Sequence, residues 1–263
     1  MLSHEGISTF TPDNIAELSE REFAGRKVLV IGGSKGIGAE TAKLAGALGA
    51  SVFINSREQS RREALQVLEE NLGIDGYIPG DITEPGSPEK IVKDTLRIAG
   101  RIDDVIISAG IRDDGLFMMM SDEQIRRVME TNFFGPAFVA REAIKAMRHQ
   151  RPRGGTITFV SSLAAEGNPG QANYSASKGG INSLVKTLAK EYAGSGIRVN
   201  AIAPGLVDTG LTSNLTDLQR TSLLEATGSQ SALNPLDVAK GILYLASPRR
   251  EVSVTGHVVP IIG

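Results

Sequence analysis

The chain has 263 residues, 28 basic and 30 acidic side chains, a hydrophobic content of 41% and no cysteine. This is the composition of a folded globular protein, and the net charge of −2 argues against nucleic acid or an anionic membrane as a partner. With no cysteine and only three widely spaced histidines, the sequence predicts no disulfide, no thiol nucleophile and no metal site. Glycine is in excess, at 30 residues or about 11% where ~7% is usual.

The amino-terminal segment 1–24 is polar and acidic, and we expect it to be an extension that precedes one domain spanning 25–263. Thr11-Pro12 predicts the start of a short helix that ends near Leu18. The first twenty residues contain neither Lys nor Arg, which is not typical of a secretory signal or a transit peptide. No apolar run is long enough for a membrane span, so we expect a cytoplasmic protein without a membrane partner.

Short apolar strands alternate with helices from Lys27 to the end of the chain. Strands are predicted at 27–31, 51–55, 76–80, 103–108, 155–161, 197–203 and 257–262. Helices are predicted from the first glycine turn to about 48, then at 57–73, 87–99, 122–150, 173–193 and 235–247, and the polar stretch 216–226 also looks helical. The alternation is typical of βαβ units. The predicted fold is therefore α/β: a Rossmann-type, doubly wound, seven-stranded parallel sheet with helices on both faces, forming a single domain.

Glycines are concentrated where the first strand meets the first helix, in the segment 32–38. Such a turn lets the backbone approach a pyrophosphate, whose charge is favoured by the free amides and the dipole at the helix start. The same glycines could merely pack a helix close to a strand, but the flanking strand and helix favour a dinucleotide site. The predicted contacts here are Gly32, Ser34, Lys35, Gly36, Ile37 and Gly38.

The end of the second strand indicates which nicotinamide cofactor would bind. Asn55-Ser56-Arg57 occupies the place where a carboxylate would bind the ribose of NAD, and Lys35 lies in the nearby glycine turn. Two cations and a hydroxyl suit the 2′-phosphate of NADP, although most such cations are simply solvated. We therefore predict NADP(H) as the cofactor, with Ser56 and Arg57 among its contacts.

Two further segments follow strands at the same predicted edge of the sheet. Asp81-Ile82, after the third strand, offers a carboxylate and a backbone amide to the adenine. Ser108-Ala109-Gly110, at the end of the fourth strand, has small side chains that let a ribose lie against the backbone. Ligands of open α/β sheets bind at the carboxyl ends of the strands, which is where both segments fall.

Two side chains suited to acid–base chemistry lie at the start of the helix that follows the fifth strand. Tyr174 and Lys178 are four residues apart, so they share one helical face. A nearby ammonium stabilises phenolate and lowers its pKa from ~10, which suits a proton donor to a carbonyl oxygen. A Tyr-x-x-x-Lys pair by itself is more often a surface pair. Here Ser161-Ser162 ends the preceding strand at the same edge, and a hydroxyl there could hold the carbonyl.

The order of these motifs resembles that of the classical short-chain dehydrogenase/reductase family over about 23–263. The resemblance implies that Tyr174 is the general acid/base, that Ser162 orients the carbonyl, and that Lys178 binds the nicotinamide ribose and lowers the tyrosine pKa. It also implies that Asn132 kinks the long helix and anchors a water in the proton relay. The carboxamide would be held by the loop that contains Pro204, Gly205, Val207 and Thr209.

Within that family the chain is most similar to the 3-oxoacyl-[acyl-carrier-protein] reductases, over 109–132, 167–181 and 196–212. This implies an NADPH-dependent reductase of a 3-oxoacyl thioester or similar β-keto substrate, in fatty acid or polyketide biosynthesis, assembled as a homotetramer or homodimer. Arg148, Arg151 and Arg153 could form a basic patch for an acidic carrier protein, or simply a solvated loop. The alternatives are a reductase of another ketone, of polyketide, quinone or steroid type, and a catalytically silent nucleotide-binding scaffold.

Some positions depart from the family pattern. Ile31 replaces a threonine before the first glycine, and Ile107-Ser108 replaces a pair of asparagines. Ser162 lies one residue closer to Tyr174 than is usual, so counting back from the tyrosine would select Ser161. Matching the strand GTITFVSS instead selects Ser162, with one residue deleted from the loop that follows.

Overall fold

The computed structural model describes residues 18–19, 21–71, 73–213, 215–248 and 254–263. Its strands are β1 (Lys27–Ile31), β2 (Ser51–Ser56), β3 (Ile74–Pro79), β4 (Asp104–Ile107), β5 (Gly155–Val160), β6 (Ile197–Pro204) and β7 (Val258–Ile261). Within the described residues these form one seven-stranded sheet in the order β3-β2-β1-β4-β5-β6-β7. Every neighbouring pair is parallel, so all the carboxyl ends lie along one edge.

The helices connect the strands and cover both faces of the sheet. They are α1 (Gly36–Ala47), α2 (Arg61–Glu70), α3 (Ser87–Ala99), α4 (Asp122–Met129), α5 (Gly135–His149), α6 (Ala172–Tyr192), α7 (Asp217–Thr227) and α8 (Pro235–Ala246). Apolar residues of α1, α2 and α8 pack on one face, and those of α3, α5 and α6 pack on the other. The strands are buried on both sides, which explains their continuous apolar runs. The predicted fold class is confirmed.

The long helix predicted over 122–150 is interrupted. A π-helical turn, Glu130–Phe134, separates α4 from α5 and contains the buried Asn132. A π turn inserts one extra residue into a helix, and this feature has no periodicity signal in the sequence. Smaller differences affect the second βα unit, where the helix ends at Glu70 rather than 73 and the third strand is Ile74–Pro79 rather than 76–80.

The packed structure begins ahead of β1. Phe23 is fully buried in the core, and its amide donates to the Leu48 carbonyl at 3.0 Å. The short helix predicted from Thr11-Pro12 lies outside the described residues except for Leu18, which packs against the core. None of the described helices is both long enough and apolar enough to cross a membrane.

The strand order creates a crevice at the carboxyl edge. From β1 the chain moves outward to β2 and β3, and it then returns to place β4 on the other side of β1. The loops after β1 and β4 therefore diverge to opposite faces, which leaves a gap between them where doubly wound folds bind ligands.

Candidate active site

A pocket of about 400 Å³ opens at the carboxyl ends of β4, β5 and β6. Ten predicted site residues line it, namely Ile37, Ser108, Gly110, Ser162, Tyr174, Lys178, Pro204, Gly205, Val207 and Thr209. The others lie outside its lining, in the neighbouring turns or behind its wall: Gly32, Ser34, Lys35, Gly36, Gly38, Ser56, Arg57, Asp81, Ile82, Ala109 and Asn132. The structure therefore brings the sequence-predicted residues to one edge of the sheet.

Two glycines of the turn after β1 are required by close backbone approach. Gly32 has φ of 78°, and a Cβ there would lie 2.8 Å from the Ala109 amide nitrogen. A Cβ on Gly38 would lie 2.2 Å from the Gly32 carbonyl oxygen, so no side chain fits there. Helix α1 begins without a side-chain cap and without an acidic residue in its first turn. Its amino-terminal amides and its positive dipole end are thus available to an anion, and this cradle fits a dinucleotide phosphate.

Backbone hydrogen bonds hold the turn after β1, where Ile31 replaces the threonine that usually precedes the first glycine. Ile31 is fully buried in the core. The amides of Gly32 and Gly33 both donate to the Asn55 carbonyl, at 2.9 and 3.0 Å. The Ser108 amide donates to the Ile31 carbonyl at 2.9 Å. The turn is therefore anchored to β2 and β4 on both sides without a side-chain hydroxyl.

The two cations predicted to select the cofactor are exposed at the end of β2 and in the glycine turn. Neither Lys35 nor Arg57 has an ion-pair partner among the described residues. The nearest acid in the sequence, Glu58, pairs with Arg61 at 2.9 Å. The hydroxyl of Ser56 is buried and faces backbone carbonyls of its own loop. Within the part of the chain that the structure describes, no carboxylate is therefore committed to either cation.

The turn after β3 is fixed by its aspartate. Asp81 Oδ1 accepts from the amide and hydroxyl of Thr83, at 2.9 and 2.7 Å. Its Oδ2 has no hydrogen bond within the described part of the chain. Ile82 packs against the start of α5, where a Cβ on Gly135 would lie 2.7 Å from the Ile82 side chain. One carboxylate oxygen thus remains available at this edge.

Tyr174 and Lys178 are buried side by side on α6. The Lys178 ammonium donates to the Val160 carbonyl at 2.7 Å and lies 5.7 Å from the centre of the Tyr174 ring. Burial lowers the pKa of Lys178 to about 8. Burial also raises the pKa of Tyr174, and the neighbouring Ser162 hydroxyl and the Arg112 charge oppose this only in part. The prediction of a lowered tyrosine pKa is wrong for this structure, because loss of water disfavours phenolate more than its neighbours favour it.

The two candidate serines have different partners. Ser161 is buried, and its hydroxyl donates to Asn182 Oδ1 of α6 at 2.6 Å. Ser162 Oγ accepts from the Ala164 amide at 3.1 Å, and this hydroxyl is close enough to the Tyr174 phenol to lower the pKa of the phenol. The geometry favours Ser162 as the hydroxyl that acts together with the tyrosine.

Asn132 connects the π turn to the loop after β4. Its Oδ1 accepts from the Ile111 amide at 2.8 Å, and its Nδ2 donates to the Ile111 carbonyl at 2.9 Å and to Ser177 Oγ at 3.3 Å. The helix deviates at this residue, as the family resemblance implies. The water that the resemblance assigns to Asn132 stays a prediction.

The sequence reasoning missed Arg112 and Gln171, which both line the pocket. Gln171 Nε2 donates to Asp114 Oδ2 at 3.0 Å, and Arg112 forms an ion pair with the same carboxylate. Arg112-Asp113-Asp114 has the composition of a solvated charged loop, so composition alone could not identify it. Its position two residues beyond Gly110, at a strand's carboxyl end, was the available signal.

The arginines considered as a carrier-protein patch lie elsewhere. Arg148 is on the last turn of α5, and Arg151 and Arg153 are in the loop that leads to the amino end of β5. In a parallel sheet the amino ends face away from the pocket edge. Within one subunit, these exposed side chains do not border the pocket.

Comparison with known proteins identifies the family. The model of the short chain dehydrogenase family matches residues 26–220. The chain belongs to the short-chain dehydrogenase/reductase family. It is 33% identical over 242 residues to 3-oxoacyl-[acyl-carrier-protein] reductase FabG of Escherichia coli K12, covering 92% of this chain and 97% of that one. It is 36% identical over 242 residues to the protein of the same name from Thermotoga maritima, covering 91% and 97%.

A solved structure of a dehydrogenase/reductase has the same fold over nearly the whole chain. A dehydrogenase/reductase from Sinorhizobium meliloti 1021 superposes with a TM-score of 0.82 at 30% identity, covering 92% of this chain and 96% of that one. Like other short-chain dehydrogenases, the protein is an oxidoreductase of CH–OH or C=O groups that uses a nicotinamide cofactor. Among the described residues, no group of potential metal ligands is clustered.

Proposed function

We propose that the protein is an NADPH-dependent reductase of 3-oxoacyl thioesters or similar β-keto substrates, with Tyr174 as the proton donor. The observation that carries the proposal is that Ser162 and Tyr174 lie together in the lining of one pocket, which the glycine turn borders. The names of the FabG relatives support the substrate class. Leu163, Leu206 and Leu223 give the pocket an apolar wall suited to an acyl chain.

The roles of the side chains follow from their positions. NADPH, when bound, supplies the hydride for the keto carbon. Tyr174 Oη donates its proton to the ketone oxygen, and Ser162 Oγ donates a hydrogen bond to the same oxygen. The raised pKa of Tyr174 keeps the phenol protonated but makes it a weaker acid, so the neighbouring Lys178 ammonium would stabilise the phenolate as the proton leaves. Lys178 is held beside the tyrosine by the Val160 carbonyl, where its ammonium would also bind the nicotinamide ribose.

The preference for NADPH rests on charge. Lys35 and Arg57 are exposed cations without an acidic partner in the described structure, and Glu58 is engaged by Arg61. A 2′-phosphate would satisfy both cations, whereas the hydroxyl of NADH would leave them unused.

We also expect the homotetramer or homodimer that the family resemblance implies. Phe134 and Phe138 are each 39% exposed at the start of α5, which supports a subunit contact there. Delivery of the substrate by an acyl carrier protein stays a prediction, because the arginines considered for that role lie away from the pocket.

The test is NADPH oxidation with acetoacetyl-CoA, repeated with NADH at equal concentration and with Tyr174→Phe. Tyr174→Phe should lose nearly all turnover but keep NADPH binding, whereas Tyr192→Phe on the same helix should behave as the parent. Substantial turnover by Tyr174→Phe contradicts the assignment of Tyr174 as the proton donor. Equal rates with NADH and NADPH contradict the assignment of NADPH as the preferred cofactor. Activity only on polyketide, quinone or steroid ketones identifies the other substrate class. NADPH binding without turnover of any ketone identifies a silent scaffold.

A further inference from the structure

A guanidinium group that the mechanism above does not use lies in the wall of the pocket. Arg112 lines the pocket, and its side chain is 14% exposed. It lies near enough to Tyr174 for its charge to lower the tyrosine pKa. Among the described residues, only Lys178 also brings a cation to this lining. Lys178 already donates to the Val160 carbonyl, so Arg112 is the cation that faces the rest of the pocket.

Neighbouring residues orient the guanidinium but do not use all of its hydrogen-bond donors. Its Nε donates to Asp114 Oδ1 at 3.4 Å, and Nη2 donates to Oδ2 of the same carboxylate. Asp114 does not line the pocket, and Gln171 Nε2 holds its Oδ2 from a second side at 3.0 Å. Arg112 Nη1 has no hydrogen bond to any described residue. Because a guanidinium has five N–H donors in a rigid fork, the fixed carboxylate leaves the Nη1 donors for a ligand.

The loop that carries Arg112 is attached to the segment that carries the tyrosine. The Gly115 amide donates to the Gly170 carbonyl at 2.8 Å, and Asn173 Nδ2 donates to the Asp113 carbonyl at 2.9 Å. Asn132 holds the loop from the other side through the Ile111 backbone. The guanidinium is therefore held at a fixed position relative to the phenol. A side chain needs such a fixed position if it is to recognise a group beside the reacting ketone.

We propose that Arg112 is a specificity-determining residue that binds a second acyl oxygen of the substrate, on the carbon β to the ketone. This rests on the proposed function. In a β-keto compound the two carbonyl oxygens are close together, so one can contact Tyr174 and Ser162 while the other accepts from Arg112. The chemistry recognised is an oxygen acceptor with partial or full negative charge, supplied by a thioester carbonyl or by a free carboxylate.

The experiment compares three substrates: the N-acetylcysteamine thioester of acetoacetate, free acetoacetate, and 2,2,2-trifluoroacetophenone, an activated ketone without a second acyl oxygen. Arg112→Gln should lower kcat/KM for the preferred β-keto substrate by about 10- to 100-fold, mainly through KM, and change the reference ketone by less than about 3-fold. Arg112→Lys should recover part of the loss. The matched control is Arg127→Gln, because Arg127 pairs with the adjacent Asp113, is 58% exposed and does not line the pocket.

The two β-keto substrates identify the source of the oxygen, because Arg112 binds the substrate whose kcat/KM falls more in Arg112→Gln. An equal loss for all three substrates, with an unchanged melting temperature, overturns the proposal. So do dissociation constants that are unchanged in Arg112→Gln for both the 3-hydroxybutanoyl thioester and free 3-hydroxybutanoate. Wild-type protein that reduces only the reference ketone overturns the proposed function as well, whereas wild-type activity on the thioester with no effect of Arg112→Gln overturns only the role of Arg112.

Discussion

Lys178→Met should stabilise the protein while it abolishes activity, because the lysine is placed for chemistry at the expense of stability. The Lys178 ammonium is nearly completely buried, and burial lowers its pKa to about 8 from the usual 10.5. At ~1.4 kcal/mol for each pH unit, this difference corresponds to about 3 kcal/mol. Methionine has a similar shape and no charge to bury, although it gives up the hydrogen bond to the Val160 carbonyl. We expect a net gain of about 1–2 kcal/mol in the free energy of unfolding at pH 7.

The dependence of stability on pH separates the cost of burying the Lys178 charge from the contribution of side-chain packing. Below about pH 8 both the folded and the unfolded chain hold the lysine proton, and the folded state bears the full cost of burying it. Between about 8 and 10.5 the unfolded chain holds a proton that the folded chain has lost, so the wild-type protein gains stability as the pH rises. The advantage of Lys178→Met should therefore shrink by about 2 kcal/mol between pH 7 and pH 9.5.

The measurement is urea unfolding of wild type, Lys178→Met and Lys186→Met at pH 7, 8 and 9.5. Lys186 is exposed two turns further along α6, so its variant should differ from wild type by the same small amount at every pH. The claim that burial lowers the pKa of Lys178 would be refuted if Lys178→Met and wild type differed in free energy of unfolding by the same amount at every pH from 7 to 9.5.

Three other variants test separate parts of the structure. Gly38→Ala should weaken NADPH binding at least 10-fold in a fluorescence titration, because its Cβ would lie 2.2 Å from a backbone oxygen, whereas Gly194→Ala, with open space around it, should bind normally. Arg57→Gln should lower the preference for NADPH over NADH by about 5-fold or more in kcat/KM, and Arg62→Gln, at an exposed position on α2, should leave it unchanged. Asp104→Asn should cost about 3 kcal/mol in urea unfolding, because it leaves a partly buried arginine without its carboxylate, and a loss under 1 kcal/mol would contradict this.

The strands and helices were largely predictable because their signals are local. The β-branched runs and the glycine turn at 32–38 indicate a parallel sheet and a phosphate cradle without knowledge of distant residues. The spacing of Tyr174 and Lys178 likewise places both on one helical face. The π turn at Asn132 was not predictable from periodicity, since its buried amide side chain is bonded to Ile111 across the fold.

The sequence by itself determined the family, the alternation of strands and helices, and the residue types available for chemistry. Only the tertiary structure decided how those residues are coupled. It pairs Ser162 rather than Ser161 with Tyr174, and it raises the tyrosine pKa where a neighbouring lysine alone would lower it. It also brings Arg112 into the pocket wall. The physical reason is that burial and electrostatic interaction are sums over groups that the fold assembles from distant parts of the chain, whereas propensity and periodicity report on neighbours in sequence.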